Sequence, residues 1–100
     1  PGVQSASEIM LASELGYKLL KFFPAELSGG AKKLKAMQAV FPDISFVPTG
    51  GVNSSNFNSY LALTNVVCVG SSDLISNEML NSNDWNGISS NIINIKENLL

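Results

Sequence analysis

Short apolar runs alternate with amphipathic stretches along this chain of 100 residues. The runs have the length of strands buried on both faces, and between them apolar residues recur every three or four positions, as on one face of a helix. The predicted strands are 19–23, 44–47 and 66–69, and the predicted helices are 5–15, 31–40, 53–63, 73–80 and 88–99. This alternation predicts an α/β fold, a parallel sheet with helices outside. The sheet is either open and doubly wound or the second half of a (β/α)8 barrel, of which about half the usual length is present.

Capping and stop residues mark the ends of several predicted helices. Ser5 and Glu8 have the spacing of a capping box at the first helix, and Gly16 is placed to end that helix. Asn53 or Ser54 can cap the third helix.

Lys21 stands out because it interrupts the first apolar run. Side chains alternate along a strand, so Leu19, Lys21 and Phe23 share one face, and Leu20 and Phe22 share the other. If both faces are buried, loss of hydration favours the free amine, the form that attacks carbonyl groups. A Schiff-base lysine needs this property. The alternative is that the Lys21 side chain extends from a strand end into solvent.

Composition narrows the possible functions. The net charge is −2 with only six basic residues, which makes nucleic acid an improbable partner. No apolar run approaches the roughly 20 residues of a membrane span. Histidine is absent and Cys68 is the single cysteine, so we predict no disulfide and no metal site, with Cys68 in the core of a cytoplasmic protein. The chain begins at Pro1 rather than Met, which suggests a processed or partial sequence.

Polar and glycine-rich turns follow the second and third predicted strands. In parallel α/β folds the carboxyl ends of the strands gather the functional groups. Gly50, Gly51 and residues 70–72, which are expected to open a short helix, offer backbone N–H groups to a phosphate, although simple turns would need the same glycines. Thr49 can bind a carboxylate or carbonyl oxygen, or merely satisfy local backbone. Glu26 is a general base, a brace for its loop or a cap for the helix that begins at Ala31.

Three segments together resemble one enzyme family. They are KFFPAE at 21–26, PTGG at 48–51 and CVGSS at 68–72. These segments resemble the 2-keto-3-deoxy-6-phosphogluconate (KDPG) aldolase family, which includes 4-hydroxy-2-oxoglutarate (KHG) aldolase activity. The resemblance runs from residue 1 to about residue 80 and continues more loosely through the last helix.

The resemblance implies a class I, metal-independent aldolase without a cofactor, built on a (β/α)8 barrel and usually a homotrimer. Residues 1–100 would be a single partial domain, the C-terminal half of the barrel. The Schiff-base lysine of the family falls on Lys21, the aromatic residue of the pyruvate pocket on Phe23, and the threonine that contacts pyruvate on Thr49. The phosphate-binding positions fall on Gly50, Gly51, Gly70, Ser71 and Ser72.

Two positions depart from the family pattern. Ser71 stands where a second glycine is common, and Asp73 stands where tryptophan is frequent. A carboxylate beside a phosphate site would oppose a dianion, which bears directly on substrate preference. The acid–base glutamate and the carboxylate-binding arginine of the family lie on early strands, which this sequence lacks.

The expected function is cleavage of a small 2-keto acid. The substrate would be 2-dehydro-3-deoxy-6-phosphogluconate, giving pyruvate and glyceraldehyde 3-phosphate in the Entner–Doudoroff pathway, or 4-hydroxy-2-oxoglutarate, giving pyruvate and glyoxylate. One alternative is a phosphosugar isomerase or epimerase in which Lys21 pairs with phosphate. Another is a half-barrel that is inactive by itself and acts only through association.

Overall fold

The structure, a computed structural model, describes residues 1–99. Within that range strands and helices alternate up to the third strand, and the last three elements are helices. The elements are β1 (Gly2–Val3), α1 (Ala6–Glu14), β2 (Leu19–Phe22), α2 (Gly30–Val40), β3 (Ser45–Pro48), α3 (Phe57–Leu61), α4 (Asn77–Asn81) and α5 (Trp85–Glu97). None of the helices in this range is both long and apolar enough to cross a membrane.

The three strands form one parallel sheet in the order β1-β2-β3. Gly2 pairs with Lys21 in the first ladder, and Lys21 pairs with Val47 in the second. Parallel neighbours need a crossover connection, and α1 and α2 supply the two crossovers. The sheet therefore sets Lys21 on its central strand.

One face of the sheet is covered by helices and forms the core. Leu20, Phe22 and Phe46 point to this face and are fully buried, together with Ile9 of α1 and Leu34 of α2. The Phe22 and Phe46 rings meet edge to face, with centroids 6.3 Å apart. Burial of each such side chain contributes roughly 1.5–3 kcal/mol to the free energy of unfolding.

The other face of the sheet is open, so the prediction that β2 is buried on both faces is wrong. Leu19 is 53% exposed, Phe23 is 50% exposed, and Lys21 between them is also exposed. The predicted alternation of side chains is confirmed, because Leu20 and Phe22 are buried on the opposite face. No element within residues 1–99 packs over the open face, which we call the Lys21 face.

The prediction of a regular strand at 66–69 is also wrong. This segment runs parallel to β3, but its bridges are isolated ones, Phe46 to Val66 and Thr49 to Gly70. Hydrogen bonds join its two ends to β3, from Val67 N to Phe46 O (3.1 Å) and from Gly70 N to Pro48 O (2.9 Å). The outer edge of the segment has no neighbouring strand in the described chain.

Cys68 lies in the middle of this segment and is exposed, contrary to the predicted core position. Its neighbour Val67 is 56% exposed as well, so nothing within residues 1–99 covers the two central side chains of the segment.

The observed helix ends match only some of the ends predicted from the sequence. The capping box of α1 is confirmed: the Ser5 hydroxyl accepts from Glu8 N, and the Glu8 carboxylate accepts from Ser5 N. α3 begins later than predicted, with Asn56 as its N-cap. The Asn56 side chain accepts from Asn53 N at 2.8 Å, which holds residues 53–56 in a turn before the helix.

Candidate active site

Lys21 occupies β2 near its carboxyl end, on the Lys21 face. The backbone of this strand is held on both flanks, by Lys21 N donating to Pro1 O and by Thr49 N donating to Phe22 O, both at 2.9 Å. The Lys21 ammonium lies 5.0 Å from the centroid of the Phe23 ring, within range of a cation–π interaction. The structure therefore brings two predicted site residues together. It exposes the amine to solvent, contrary to the predicted burial.

Thr49 follows β3 on the same face of the sheet. Because Lys21 pairs with Val47, the alternation of side chains places Thr49 on the side of Lys21, one pleat further along. The Thr49 carbonyl accepts from Ala25 N at 2.8 Å, so it joins the ends of β2 and β3. A Cβ atom on Gly70 would lie 2.7 Å from Thr49 Oγ1, so the side chain rests against the end of the 66–70 segment.

The turn at Gly50 and Gly51 needs glycine for two local reasons. Both residues have positive φ, +97° and +74°, a region that side chains with a Cβ rarely adopt. A Cβ at Gly50 would lie 3.1 Å from the Phe23 ring, and a Cβ at Gly51 would lie 2.7 Å from Glu26 Cγ. Close packing against the loop after β2 therefore explains both glycines without a ligand. A phosphate-binding role is compatible with this geometry but is not required by it.

Glu26 braces this turn. Its backbone N donates to Gly50 O at 3.1 Å, and its carboxylate accepts a hydrogen bond from the hydroxyl of Tyr60. Tyr60 is fully buried in α3. Burial, and then the hydrogen bond to the Glu26 carboxylate and its negative charge, raise the pKa of Tyr60 well above its ordinary value. Tyr60 thus stays protonated as a donor, and of the three predicted roles for Glu26 the structure favours the brace.

Sequence reasoning assigned Tyr60 only to the apolar face of the third helix. Its partner is 34 residues away in the chain. Periodicity identifies which helix face is buried but does not show which group a buried hydroxyl will meet, so the sequence carried no signal for this contact.

A pocket of about 410 Å³ opens beside the glycine turn. Gly51 and Ser72 both line it, which brings one residue from each predicted phosphate-binding turn to the same cavity. The remaining lining residues are Val52, Asn53, Asp73, Ile75, Ser76 and Asn77. The prediction that residues 70–72 open a helix directly is wrong, because α4 begins only at Asn77 behind its N-cap, Ser76.

Gly50, Gly70 and Ser71 are not among the residues that line this pocket. The Ser71 hydroxyl is engaged with protein: it donates to the carbonyl of Val52 and accepts from Asp73 N at 3.0 Å. These three residues shape the turns around the pocket.

Asp73 faces the pocket. Its carboxylate Oδ2 accepts from Ser54 N at 3.1 Å, and its side chain is exposed to solvent. The carboxylate therefore lies at the wall of the cavity where the sequence predicted a phosphate site.

Parallel strands with outer helices, and a lysine and polar turns at the carboxyl ends of the strands, are typical of α/β enzymes that act on small molecules. Residues 1–91 match the family model described as KDPG and KHG aldolase. The chain belongs to this aldolase family, which confirms the resemblance found in the sequence.

Curated relatives support the family assignment. The chain is 53% identical over 85 residues to a 2-dehydro-3-deoxy-phosphogluconate aldolase of Pseudomonas aeruginosa, covering 85% of this chain and 39% of the relative. It is 43% identical over 88 residues to the KHG/KDPG aldolase of Escherichia coli K12, covering 88% of this chain and 41% of the relative. The chain thus spans about two fifths of the length of these relatives.

Solved aldolase structures have the same architecture. A KDPG aldolase from Legionella pneumophila, with pyruvate captured as a covalent carbinolamine intermediate, superposes with a TM-score of 0.92 at 44% identity, covering 95% of this chain and 46% of that one. The aldolase of Zymomonas mobilis ZM4 with 3-phosphoglycerate superposes with a TM-score of 0.75 at 42% identity. The match covers 77% of this chain and 37% of that one. These matches confirm the predicted α/β fold, and they agree with part of a (β/α)8 barrel.

Proposed function

We propose that this chain is the Schiff-base half of a class I aldolase that cleaves a 2-keto acid. The main support is Lys21, which lies at the carboxyl end of the central strand with its amine free to meet a ligand on an open face. The Legionella pneumophila relative, 44% identical, holds pyruvate as a covalent carbinolamine. A carbinolamine is the product of an amine adding to a ketone, the reaction proposed for Lys21.

The reaction would run through Lys21 Nζ. The free amine adds to the C2 ketone to give a carbinolamine, which loses water and becomes an iminium. The C3–C4 bond then breaks, its electron pair moves into the iminium to form an enamine, and the C4 hydroxyl loses its proton as the aldehyde leaves. Protonation of C3 and addition of water release pyruvate and regenerate the amine.

Phe23 and Thr49 would hold the pyruvyl end of the substrate. Phe23 offers an apolar ring beside the reacting amine, and Thr49 offers a hydroxyl on the same face of the sheet. Gly51 and Ser72 would line the place reached by the far end of the substrate. Gly50, Gly70 and Ser71 would shape the two turns of this phosphate-binding region.

The proton of the C4 hydroxyl needs a base. Glu26 is committed to the Tyr60 hydroxyl, and the chain spans about two fifths of its curated relatives. We propose that residues 1–100 form a partial domain and that the remainder of a barrel supplies the base. The substrates would be 2-dehydro-3-deoxy-6-phosphogluconate, 4-hydroxy-2-oxoglutarate or both, without a metal or organic cofactor, in a cytoplasmic homo-oligomer.

Borohydride trapping tests the nucleophile directly. We expect that pyruvate and borohydride, added to the protein as its gene encodes it, leave a covalent adduct on the Lys21 peptide in mass spectrometry. Lys21→Arg should abolish the adduct and the cleavage, since a guanidinium stays protonated. Lys18→Arg, at an exposed lysine just before β2, should leave both unchanged.

Absence of an adduct on Lys21 in the unmodified protein would refute the proposal. If the protein instead isomerised or epimerised a phosphosugar, and Lys21→Arg kept that activity in full, Lys21 would be a lysine that pairs with phosphate.

A further inference from the structure

The pocket beside the glycine turn has an acidic wall. Asp73 is the one charged residue among the eight that line it, and none of those eight is lysine or arginine. A phosphate dianion placed there would meet a carboxylate without a compensating cation from the lining. Phosphate sites in proteins ordinarily combine N–H donors with positive charge or a helix dipole.

The backbone donors of the 53–55 turn, which begins at the pocket wall, are already occupied. Three consecutive N–H groups already donate within the protein: Asn53 N to the Asn56 side chain at 2.8 Å, Ser54 N to Asp73 at 3.1 Å, and Ser55 N to the Asn53 side chain at 2.9 Å. A phosphate that used Ser54 N would have to displace the Asp73 carboxylate. Asp73 therefore opposes a phosphate both by its charge and by holding a donor.

The carboxylate is also held in place. Asp73 N donates to the Ser71 hydroxyl at 3.0 Å, and that hydroxyl donates to the Val52 carbonyl. Together with the bond to Ser54 N, these contacts tie residue 73 to the wall of the pocket from both its backbone and its side chain.

We propose that Asp73 is a specificity-determining residue that disfavours 2-keto acids ending in a phosphate and leaves unphosphorylated 2-keto acids as the better substrates. This inference rests on the proposed aldolase function. In the proposed function, the Gly51 and Ser72 pocket receives the far end of a six-carbon phosphorylated substrate. A shorter acid without phosphate places no dianion there, so Asp73 acts on the choice of substrate and not on the chemistry at Lys21.

The test compares two substrates in matched variants of the protein as its gene encodes it. Asp73→Asn removes the charge and keeps an oxygen that can accept from Ser54 N. We expect it to raise kcat/KM for 2-dehydro-3-deoxy-6-phosphogluconate about tenfold, mainly through KM, since charges a few ångströms apart near a protein surface interact on that scale. In the same variant, kcat/KM for 4-hydroxy-2-oxoglutarate should change less than about twofold.

Asp43→Asn is the control, because Asp43 is an exposed carboxylate outside the pocket. It should leave the ratio of the two kcat/KM values unchanged. Added salt should bring the kcat/KM values for the two substrates closer together in the unmodified protein, because ions screen the exposed Asp73 charge. Salt should have no such effect in Asp73→Asn. An unchanged ratio in Asp73→Asn, or an equal change in Asp43→Asn, would overturn the inference.

Failure of the aldolase function itself would look different. In that case no variant would cleave either acid. Titration with inorganic phosphate, followed through the backbone amide signals of residues 51–54 and 70–73, would then decide the role of Asp73. Tighter phosphate binding in Asp73→Asn than in the unmodified protein supports the inference, and equal affinity overturns it.

Discussion

The hydrogen bond between Tyr60 and Glu26 shows how single residues set the shape of the candidate site. The phenol is buried under α3 and its donor reaches the loop after β2, so the helix and the turn at Gly50 and Gly51 are held together. A buried hydroxyl without a hydrogen-bond partner would destabilise the folded state, and the Glu26 carboxylate prevents this by accepting the hydrogen bond. Glu26 is therefore explained by its contacts with Gly50 and Tyr60.

Tyr60→Phe should destabilise the protein by about 1 kcal/mol, because the ring still fills the core and only the hydrogen bond is lost. Urea unfolding would measure the change. Tyr17→Phe is the matched control, since Tyr17 is 50% exposed, and it should shift the free energy of unfolding very little. Equal effects of the two substitutions would contradict the assigned role of the Tyr60 hydroxyl.

The pH dependence of unfolding gives an independent measure of the same bond. The pKa of Tyr60 is raised in the folded state, so its contribution to stability is fully present below the ordinary tyrosine pKa of about 10. Above that pH the unfolded chain releases the phenol proton while the folded chain keeps it, so stability falls. The decrease in the free energy of unfolding that comes from the Tyr60 phenol should be absent in Tyr60→Phe and present in Tyr17→Phe.

At the scale of the elements, α1 is the helix whose boundaries follow most directly from local chemistry. Ser5 and Glu8 exchange hydrogen bonds across the first turn and satisfy N–H groups that a helix start leaves free. Hydrogen bonds from Gln4 N and Ser5 N lower the pKa of Glu8. The capping box joins residues three apart, which is why the sequence alone predicted it.

Ser5→Ala should cost about 1 kcal/mol of stability, the usual effect of removing a serine N-cap. Ser7→Ala, on an exposed position of the same helix, serves as the control and should be close to neutral. Thermal unfolding followed by circular dichroism would compare them. If the Ser7 variant proved as unstable as the Ser5 variant, the cap would not be the cause.

The elements that were predicted wrongly depend on distant partners or on a choice between alternative local turns. Whether 66–69 is a regular strand depends on what pairs with its outer edge, and in residues 1–99 it is bridged to β3 only at its two ends. The start of α3 depends on Asn56 accepting from Asn53, one of several turn arrangements open to a stretch rich in asparagine and serine.

At the scale of the whole molecule, the Lys21 face is the main apolar surface that no other element of residues 1–99 covers. Leu19, Phe23 and Val67 are each at least half exposed on it or at its edge, and together they form an apolar patch with lysine at its centre. Exposed apolar patches and unpaired strand edges promote association. In the aldolases of known structure that match this chain, less than half of the protein corresponds to it.

We expect a polypeptide of residues 1–100 by itself to be catalytically inactive and to associate or fold poorly. Size-exclusion chromatography with light scattering should show species larger than a monomer or a broad distribution. Leu19→Gln should reduce the association, and Leu27→Gln, at an 89% exposed loop position, should not. A monomer that melts cooperatively would contradict this expectation.

The sequence by itself determined the α/β class, the alternating faces of β2, the first helix cap and the family, because these depend on local periodicity, near-neighbour hydrogen bonds and motif spacing. Tertiary structure decided that Lys21 is exposed, that Glu26 meets Tyr60 and that Asp73 faces the pocket. Each of these depends on which segments come together across 19 or more residues of chain, or on whether any segment covers a face at all. Burial and partnership are properties of the assembled fold, and no local pattern contains them.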